Sequence, residues 1–367
     1  MKKFSFYRCK KCLTTSTRPR ISFTDNLCSA CVNFEQRKKI NWGFRKKQLI
    51  KLCNIYRKKD GNYDVVVPVG GGKDSSYVAW MLKNKYKMKP LCVFCEPPLF
   101  TKLGAKNLDN FRKSGFDIFQ ISQTNAQREM DRITFTKLGL PQHNWLASIT
   151  IAPLKIAEKF NIKIVMWGEE GESMYGGNNK YKNTMFADSN LFKLKLNNIS
   201  IDKFISNRKS KKLYYWSTLS KHEIKKYAKI KKCHWSYFEK WDETKHLSFA
   251  KKNCGLEYDK SRQDNSINNH SHTDQIMFPL HMYLAYLKFG FGRATTDTSI
   301  DIRHRRISRK KAIKIVKKFD GIMPKSYISD YCNYFKMTKK NFFKTIHKFI
   351  NKDIFIVKKK ITLLDVI

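Results

Sequence analysis

An apolar run leads into three consecutive glycines at residues 65–76, which read Val65-Val66-Val67-Pro68-Val69-Gly70-Gly71-Gly72-Lys73-Asp74-Ser75-Ser76. The valines predict a buried strand, and the residues from Lys73 onward predict a helix. Glycines let the backbone turn back on itself and expose successive N–H groups, and the following helix adds the positive end of its dipole. The segment therefore predicts a loop that binds a phosphate group.

The spelling of this loop excludes two common phosphate-binding motifs. A Walker loop needs four residues between its glycines and then Gly-Lys-Ser/Thr, whereas a dinucleotide fingerprint needs Gly-x-Gly-x-x-Gly. The loop instead resembles the Ser-Gly-Gly-x-Asp-Ser loop of the PP-loop ATP pyrophosphatases, which cleave ATP to AMP and pyrophosphate. Gly70 stands where that family usually has serine. The resemblance implies ATP binding by Gly70, Gly71, Gly72, Lys73, Asp74, Ser75 and Ser76.

Length and composition set the bounds of the interpretation. The 367 residues are long for one domain, and the hydrophobic share of 41% is enough for a sizeable core. The formal net charge of +44 is typical of nucleic-acid binding. Because Lys is spread over the whole length, a general compositional bias explains the charge as well, and nucleic acid stays an open but less favoured partner. With neither a secretory signal nor a run of about 18 apolar residues, we expect a cytoplasmic protein without a membrane span.

Four of the ten cysteines are spaced like metal ligands. Cys9 and Cys12 form one Cys-x-x-Cys pair, Cys28 and Cys31 form a second, and residues 13–27 separate the pairs. Two such pairs supply four thiolates to a tetrahedral ion. The spacing predicts a closed structural Zn²⁺ site within an N-terminal knuckle, residues 1–35, that serves folding or docking.

A further pair, Cys92 and Cys95, lies in an apolar run that is predicted to be a strand. Residues three apart in a strand point to opposite faces, which favours two buried thiols over a pair of ligands. The alternative is an iron–sulfur cluster, because some tRNA-thiolating PP-loop enzymes carry one on a Cys-x-x-Cys pair and a third cysteine.

Strands and helices alternate from the glycine loop onward. Strands are predicted at 64–69, 90–95, 117–121 and 162–167, and helices near 74–85, 104–114, 125–138 and 147–160. This alternation indicates an α/β fold with a parallel sheet covered by helices on both faces. We expect a PP-loop ATP-binding domain over residues 36–217, with the ligand at the carboxyl ends of the strands.

The flanking segments are mostly predicted to be helical. Residues 34–59 have the pattern of an amphipathic helix, and residues 175–215 read as an insertion or lid. Residues 218–367 predict a mainly helical C-terminal part that completes the active site, with helices at 221–231, 245–254, 276–289, 308–319 and 338–350.

Acidic residues cluster directly after the fourth predicted strand. Glu169, Glu170 and Glu172 stand among glycines, at the sheet edge where the glycine loop is also expected. Carboxylates there could complete the coordination of a Mg²⁺ ion that bridges phosphate oxygens. A solvated acidic turn is the alternative, but clustering in a chain this poor in acidic residues favours a functional role.

A second polar constellation follows Gly290 and Gly292. If the chain is helical from there, Arg293 and Asp297 lie four residues apart on one helix face, with Asp301 one turn further. A surface ladder of salt bridges fits the same spacing. Because Arg before Asp is the weaker orientation for a helix pair, we favour a functional role.

Taken in chain order, these segments resemble the bacterial N-acetyl sugar amidotransferases of O-antigen and of pseudaminic or legionaminic acid pathways. The likeness spans about residues 7–320, and Arg305 stands where a glycine is expected. It is carried by the four-cysteine knuckle, the glycine loop, Trp167-Gly168-Glu169, Tyr175-Gly176-Gly177, Tyr237-Phe238-Glu239-Lys240-Trp241-Asp242, Lys288-Phe289-Gly290-Phe291-Gly292-Arg293-Ala294-Thr295 and Asp301-Ile302-Arg303.

The resemblance implies a reaction in which ATP activates the oxygen of a sugar's N-acetyl group and ammonia converts the group to acetamidino. The substrate would be an N-acetylated sugar or nucleotide-sugar. The implied catalytic residues are Asp74, Glu169, Glu172, Arg293, Asp297 and Arg303. The sequence contains no Gly-x-Cys-x-Gly turn of a glutaminase, so we expect a separate glutaminase subunit to supply ammonia, with a channel-forming partner as an option. The alternative function is a PP-loop tRNA-thiolating enzyme.

Overall fold

The computed structural model describes residues 6–168, 171–177, 183–188, 198–205, 210–262, 264–357 and 361–363. Its N-terminal part is a small knuckle in which β1 (Phe23–Thr24) and β2 (Leu27–Cys28) form an antiparallel pair. Two helices follow, α1 (Ser29–Arg37) and α2 (Trp42–Tyr56). The knuckle and these helices precede the main sheet in the chain.

The main sheet has five parallel strands. They are β3 (Val65–Pro68), β4 (Pro90–Cys95), β5 (Asp117–Ile121), β6 (Ile164–Trp167) and β7 (Lys231–His234), in the spatial order β5-β4-β3-β6-β7. The strand order reverses at β3, which pairs with β4 on one side and with β6 on the other. A loop after β3 therefore lies at the switch point where ligands bind in such sheets.

Both faces of the sheet are buried. Val65 and Val67 belong to one hydrophobic core, whereas Val66 between them belongs to a second core on the opposite face. Cys92 and Cys95 divide in the same way between the two cores. The two thiols of this pair thus point to opposite faces, as strand alternation predicts.

Helices connect the parallel strands. They are α3 (Lys73–Trp80), which continues as one π-helical turn over Met81–Lys85, then α4 (Lys102–Lys113), α5 (Asn125–Leu138), α6 (His143–Lys159) and the short α7 (Gly171–Tyr175). Local signals account for their ends. Thr124 and Gln127 form a capping box at the start of α5, and Gly139 ends that helix in the left-handed conformation.

The rest of the chain is mainly helical and packs against the sheet domain through its own core. After 3₁₀ turns at Ile201–Phe204 and Ser210–Ser217 come α8 (Lys221–Tyr227), α9 (Trp235–Phe238), α10 (Glu243–Cys254), α11 (Met277–Phe289), α12 (Arg293–Arg303), α13 (Arg309–Phe319), α14 (Ile328–Phe335) and α15 (Lys339–His347), and the antiparallel pair β8 (Phe355–Val357) and β9 (Ile361–Leu363). Helix α10 packs along α3 and so lies beside the glycine loop.

The predicted α/β fold is confirmed, and two local predictions are wrong. The single helix expected over 221–231 ends at Tyr227, and Lys231 begins β7, so the sheet extends beyond residue 217. Lys232 is a buried strand residue whose Nζ donates to the carbonyl oxygens of Tyr227 and Ile230. The helix expected over 34–59 is two helices, because Asn41 caps a new one with its side chain.

In the part of the chain that the structure describes, no helix combines the length and the apolar character that crossing a membrane requires. Part of the segment predicted to be a lid, 175–215, lies outside the described residues.

Candidate active site

The glycine loop connects the central strand β3 to α3. Gly71 has φ of +71°, and a Cβ there would lie 2.9 Å from the backbone nitrogen of Leu108. Only glycine fits such a position without strain. Gly72 precedes α3 without a side-chain cap, so the first N–H groups of the helix are available to a ligand. The backbone of the loop thus has the form of an anion-binding cradle.

The side chains after the glycines form a charged cluster at this cradle. Lys73 Nζ lies 2.5 Å from Asp74 Oδ2 and 3.6 Å from Glu243 Oε2. Asp74 Oδ1 accepts a hydrogen bond of 2.8 Å from His246 Nδ1. Burial raises the pKa of Asp74, but Lys73 and His246 outweigh it and hold the pKa at about 2. Asp74 is therefore a carboxylate with both oxygens engaged.

The two serines of the loop occupy different environments. Ser75 Oγ accepts a hydrogen bond of 3.3 Å from the backbone N–H of Gly70 and so closes the turn. Ser76 is buried, and its Oγ has no hydrogen-bond partner among the described residues.

Helix α12 carries the second polar constellation. Arg293 Nε and Nη2 donate to the two carboxylate oxygens of Asp297 at 3.0 and 2.9 Å. The pair is largely buried, and the two-pronged geometry fixes both side chains. Asp320, which is distant in sequence, caps the start of the helix by accepting a hydrogen bond of 2.8 Å from Gly292 N. Asp301, by contrast, pairs with Arg306 at the surface.

Other polar side chains surround this pair. Arg293 Nη1 lies 3.1 Å from His272 Nε2, and Asn268 Nδ2 lies 3.3 Å from Asp297 Oδ2. The His272 ring stacks on Phe278, and burial together with the charge of Arg293 lowers the pKa of His272 far below its usual value. Since a neutral imidazole accepts at Nε2, Arg293 has an additional acceptor that holds it in place.

The loop cluster and the α12 pair influence each other electrostatically. Burial raises the pKa of Asp297 to about 6, and the charges of Arg293, Glu243 and Lys73 also act on it. Burial is the main cause that lowers the pKa of His270, and the charges of Lys73 and Arg293 lower it further. The two groups are therefore near enough for their charges to influence one another. Lys73 and Asp74 are in direct contact with each other, and so are Arg293 and Asp297.

A cavity of about 520 Å³ adjoins the loop at the carboxyl ends of β3, β4 and β6. It is mostly apolar and aromatic, and its walls include Gly70, Trp145, Trp167, Tyr175 and Arg18. The guanidinium of Arg18 lies 5.3 Å from the centre of the Tyr175 ring. A larger cavity of about 780 Å³, between α6, α8 and β7, contains none of the predicted site residues.

Arg303, at the end of α12, has other neighbours. It is 6% exposed, and its Nη1 and Nη2 donate to Cys12 Sγ at 3.8 Å and to the carbonyl oxygen of Met174 at 3.3 Å. Arg303 therefore connects the helix to the cysteine knuckle and to α7.

The four predicted metal ligands form one buried cluster, and their sulfur atoms all lie within 4.8 Å of one another. Cys9 and Cys31 are 3.9 Å apart, and Cys12 and Cys28 are 3.6 Å apart. Zn–S bonds of about 2.3 Å in a tetrahedron place sulfurs about 3.8 Å apart. Backbone N–H of Cys28 donates to Cys9 Sγ at 3.3 Å, and Cys28, Cys31 and Arg303 lower the pKa of Cys12. The cluster fits a single ion and could bind zinc.

The catalytic role expected for two carboxylates, Glu169 and Glu172, stays a prediction because the structure does not describe their side chains. Glu169 lies outside the described residues, and for Glu172 only the backbone in α7 is described. Conversely, the sequence analysis missed Glu243, His246 and His272. His246 meets Asp74 across 172 positions of sequence, so no spacing rule indicates the contact.

Comparison with known proteins gives a family match for the C-terminal part of the chain. Residues 258–365 match the model described as "LPS biosynthesis protein WbpG-like, C-terminal domain". An uncharacterized protein of Methanocaldococcus jannaschii is 29% identical over 108 residues, which are 29% of this chain and 39% of that protein. The match thus spans about two-fifths of that relative's length.

Three solved structures are similar at a distance. NMN synthetase from Francisella tularensis has a TM-score of 0.29 and 14% identity, covering 51% of this chain and 97% of its own. NH3-dependent NAD synthetase from Campylobacter jejuni has a TM-score of 0.28 and 15% identity, covering 52% and 93%. The U34-tRNA thiolase NcsA from Methanococcus maripaludis, with its [4Fe-4S] cluster, has a TM-score of 0.32 and 13% identity, covering 76% and 82%.

The five-stranded parallel sheet is an α/β fold, and the glycine loop with Lys73 and Asp74 lies at its switch point. The segment that matches the WbpG-like model, residues 258–365, includes α12. This match supports the resemblance to the N-acetyl sugar amidotransferase family.

Proposed function

We propose that the protein is an ATP-dependent amidotransferase that converts the N-acetyl group of a sugar or nucleotide-sugar to an acetamidino group in surface glycan biosynthesis. One observation carries the proposal: the charge of Lys73, in the glycine loop, acts on Asp297, which forms a buried pair with Arg293 in the segment that matches the WbpG-like model. An ATP-binding loop and a polar pair for a second substrate suit a transfer between the two. The name of the matched family, an LPS biosynthesis protein, supports the glycan as acceptor.

The proposed reaction has two steps. The acetamido oxygen attacks the α-phosphorus of ATP, the bond between the α and β phosphates breaks, and pyrophosphate leaves. Ammonia then adds to the activated carbon, the carbon–oxygen bond breaks, and AMP leaves with the former acetyl oxygen. The nitrogen that came from ammonia releases protons, so that the product has C=NH where the substrate had C=O.

The residues divide between the two substrates. The loop glycines with Lys73 and Ser75 would bind the phosphates through N–H groups and positive charge. The cavity beside Trp167 and Tyr175 offers apolar and aromatic walls to the adenosine part. Arg293 and Asp297 would bind and polarise the acetamido group or the sugar hydroxyls, whereas the contacts of Arg303 suit support of the cluster better than substrate binding.

A Mg²⁺ ion would neutralise charge on the phosphates when bound. Asp74, Glu169 and Glu172 are the proposed ligands, and Glu243 is a further carboxylate at the same place. Asp74 already has both oxygens engaged by Lys73 and His246, so its use as a ligand requires Lys73 to move. For the cysteine cluster we propose Zn²⁺ in a structural role, since four thiolates leave no open position.

The ammonia is proposed to come from a separate glutaminase subunit, with or without a channel-forming partner. All ten cysteines of this chain are buried. A glutaminase needs an accessible nucleophilic thiol, which supports an outside source. Full activity of the pure protein on glutamine would contradict this proposal.

The alternative function is a PP-loop tRNA-thiolating enzyme. Cys92 and Cys95 give this alternative little support, because their thiols lie on opposite faces of the sheet and burial raises the pKa of Cys95 to about 12. Replacing both by serine should leave amidotransferase activity in place, whereas a thiolase that uses them should lose its activity.

The test is incubation with Mg-ATP, ammonia and N-acetylated sugars or nucleotide-sugars, followed by mass spectrometry. The acetyl oxygen is labelled with ¹⁸O. We expect an acetamidino product, pyrophosphate, and AMP that carries the label. Formation of ADP, or of AMP without label, would contradict the proposed mechanism.

A further inference from the structure

Helix α10 places one buried imidazole against the phosphate loop. His246 is 1% exposed, and its Nδ1 lies 2.8 Å from Asp74 Oδ1. A carboxylate only accepts hydrogen bonds, so Nδ1 carries the proton and donates. The other ring nitrogen, Nε2, is buried and has no hydrogen-bond partner among the described residues.

This arrangement is costly for a residue with a packing role alone. Burying a polar nitrogen without a partner destabilises the fold, a cost that a phenyl ring at the same position would avoid. Among the described residues, the His246 side chain forms its hydrogen bond with Asp74, and this bond is charge-assisted. The contact with Asp74 is thus the physical reason for an imidazole here.

Aromatic neighbours fix the orientation of the ring. Tyr77 stacks on it with ring centres 4.3 Å apart and an interplanar angle of 23°, and Trp241 meets it edge to face at 4.5 Å and 81°. The Tyr77 hydroxyl donates to Glu239 Oε1 at 2.6 Å, and the indole N–H of Trp235 donates to Glu239 Oε2 at 3.2 Å. The imidazole therefore has little freedom to turn away from Asp74.

We infer that His246 is a positioning residue of the phosphate loop: it holds the Asp74 carboxylate, which in turn holds Lys73 beside the glycines. His246 acts through Asp74 and does not itself need to touch ATP. The inference also explains how the helical C-terminal part completes the loop, because α10 packs along α3 and supplies His246 in addition to Glu243. It rests on the ATP binding of the proposed function and is independent of the acceptor.

Two substitutions separate the hydrogen bond from the packing. His246→Phe keeps a ring between Tyr77 and Trp241 but removes the donor. His246→Asn loses the ring but keeps an N–H near the position of Nδ1. The measurements are the Kd of Mg-ATP by calorimetry, KM and kcat for ATP and for the acceptor, and the melting temperature.

We expect His246→Phe to weaken ATP binding about ten- to a hundredfold, since hydrogen bonds to charged groups are worth this much, with the KM for the acceptor unchanged. His246→Asn should retain more ATP affinity although it loses more packing and melts at a lower temperature. In an Asp74→Ala background, which removes the acceptor of this hydrogen bond, His246→Phe should have no further effect on ATP affinity.

Normal ATP binding by His246→Phe would overturn the inference, and so would ATP affinities that follow the melting temperatures. A full additional loss in the Asp74→Ala background would also overturn it, because His246 would then act on ATP directly. Wild-type protein that binds ATP but makes no acetamidino product would contradict the proposed function alone. Wild-type protein that does not bind ATP would overturn both.

Discussion

The guanidinium of Arg303 donates to Cys12 Sγ across 3.8 Å, so the cysteine cluster is connected to the helix that begins with Arg293. A second contact reinforces the connection: the backbone N–H of Leu13 donates to Ser299 Oγ at 3.2 Å. Helix α12 has 11 residues and is therefore about 16 Å long. A metal ion in the knuckle would thus stabilise the position of the Arg293–Asp297 pair from the far end of the helix.

Loss of the metal site should therefore reduce both stability and activity. We expect Cys12→Ser to abolish binding of about one ion per chain and to lower the melting temperature by about 10 °C, because metal binding contributes directly to folding. Activity should fall through misplacement of Arg293. Metal analysis by mass spectrometry and thermal melting check this. Cys332→Ser, at a buried cysteine outside the cluster, is the matched control and should keep the ion; wild-type protein without metal would contradict the prediction.

Substitutions of two neighbouring glycines in the loop should affect ATP binding differently. Gly71→Ala should weaken ATP binding at least about tenfold, because φ of +71° and the Leu108 nitrogen 2.9 Å from the new Cβ both force the loop to move. Gly70→Ser should be tolerated, since a Cβ there meets nothing within 4 Å, and the added hydroxyl should bind phosphate. Calorimetric titration with Mg-ATP measures both. Unchanged ATP affinity of Gly71→Ala would show that the loop does not bind ATP.

The sequence predicted those parts of the fold whose signals are local. The Val65–Val67 run is continuous and apolar because the strand is buried on both faces, and the glycines follow it directly. Strand β7 was missed because Lys232 reads as a surface residue. Its stem is buried and its Nζ reaches backbone carbonyl oxygens, an arrangement that hydrophobic periodicity does not detect.

The candidate site also contains residues that local sequence patterns predict and residues that they do not. The spacing of Arg293 and Asp297 is a single helical turn, so the pair could be predicted from sequence. The partners of Asp74 and of Arg293, His246 and His272, come from distant segments, and only tertiary packing brings them together. Arg303 has a clear sequence position, but its direction toward Cys12 could not be read from the helical pattern.

The buried ion pair of α12 should control acceptor binding. Arg293→Lys removes the two-pronged contact with Asp297, so we expect the KM for the N-acetylated acceptor to rise about tenfold or more while the Kd of Mg-ATP stays within about twofold. Arg306→Lys, at an exposed pair with Asp242 and Asp301, is the control and should leave both values unchanged. An Arg293→Lys variant with weaker ATP binding and an unchanged acceptor KM would assign the pair to the nucleotide.

Stability should depend on pH through Asp131, which lies away from the site. Burial raises its pKa from 3.8 to about 8, although Tyr334 and the Asn144 backbone N–H donate to it. The folded state therefore holds the proton more tightly than the unfolded state, and this contribution to stability is full below about pH 4 and falls as pH rises toward 8. Asp131→Asn stays neutral, so its unfolding free energy relative to wild type should rise by about 2 to 4 kcal/mol between pH 5 and pH 8. Urea unfolding across this range measures the difference, and Asp109→Asn, at an exposed carboxylate, should show a flat one. A flat difference for Asp131→Asn would mean that Asp131 is already ionised in the folded protein at pH 5.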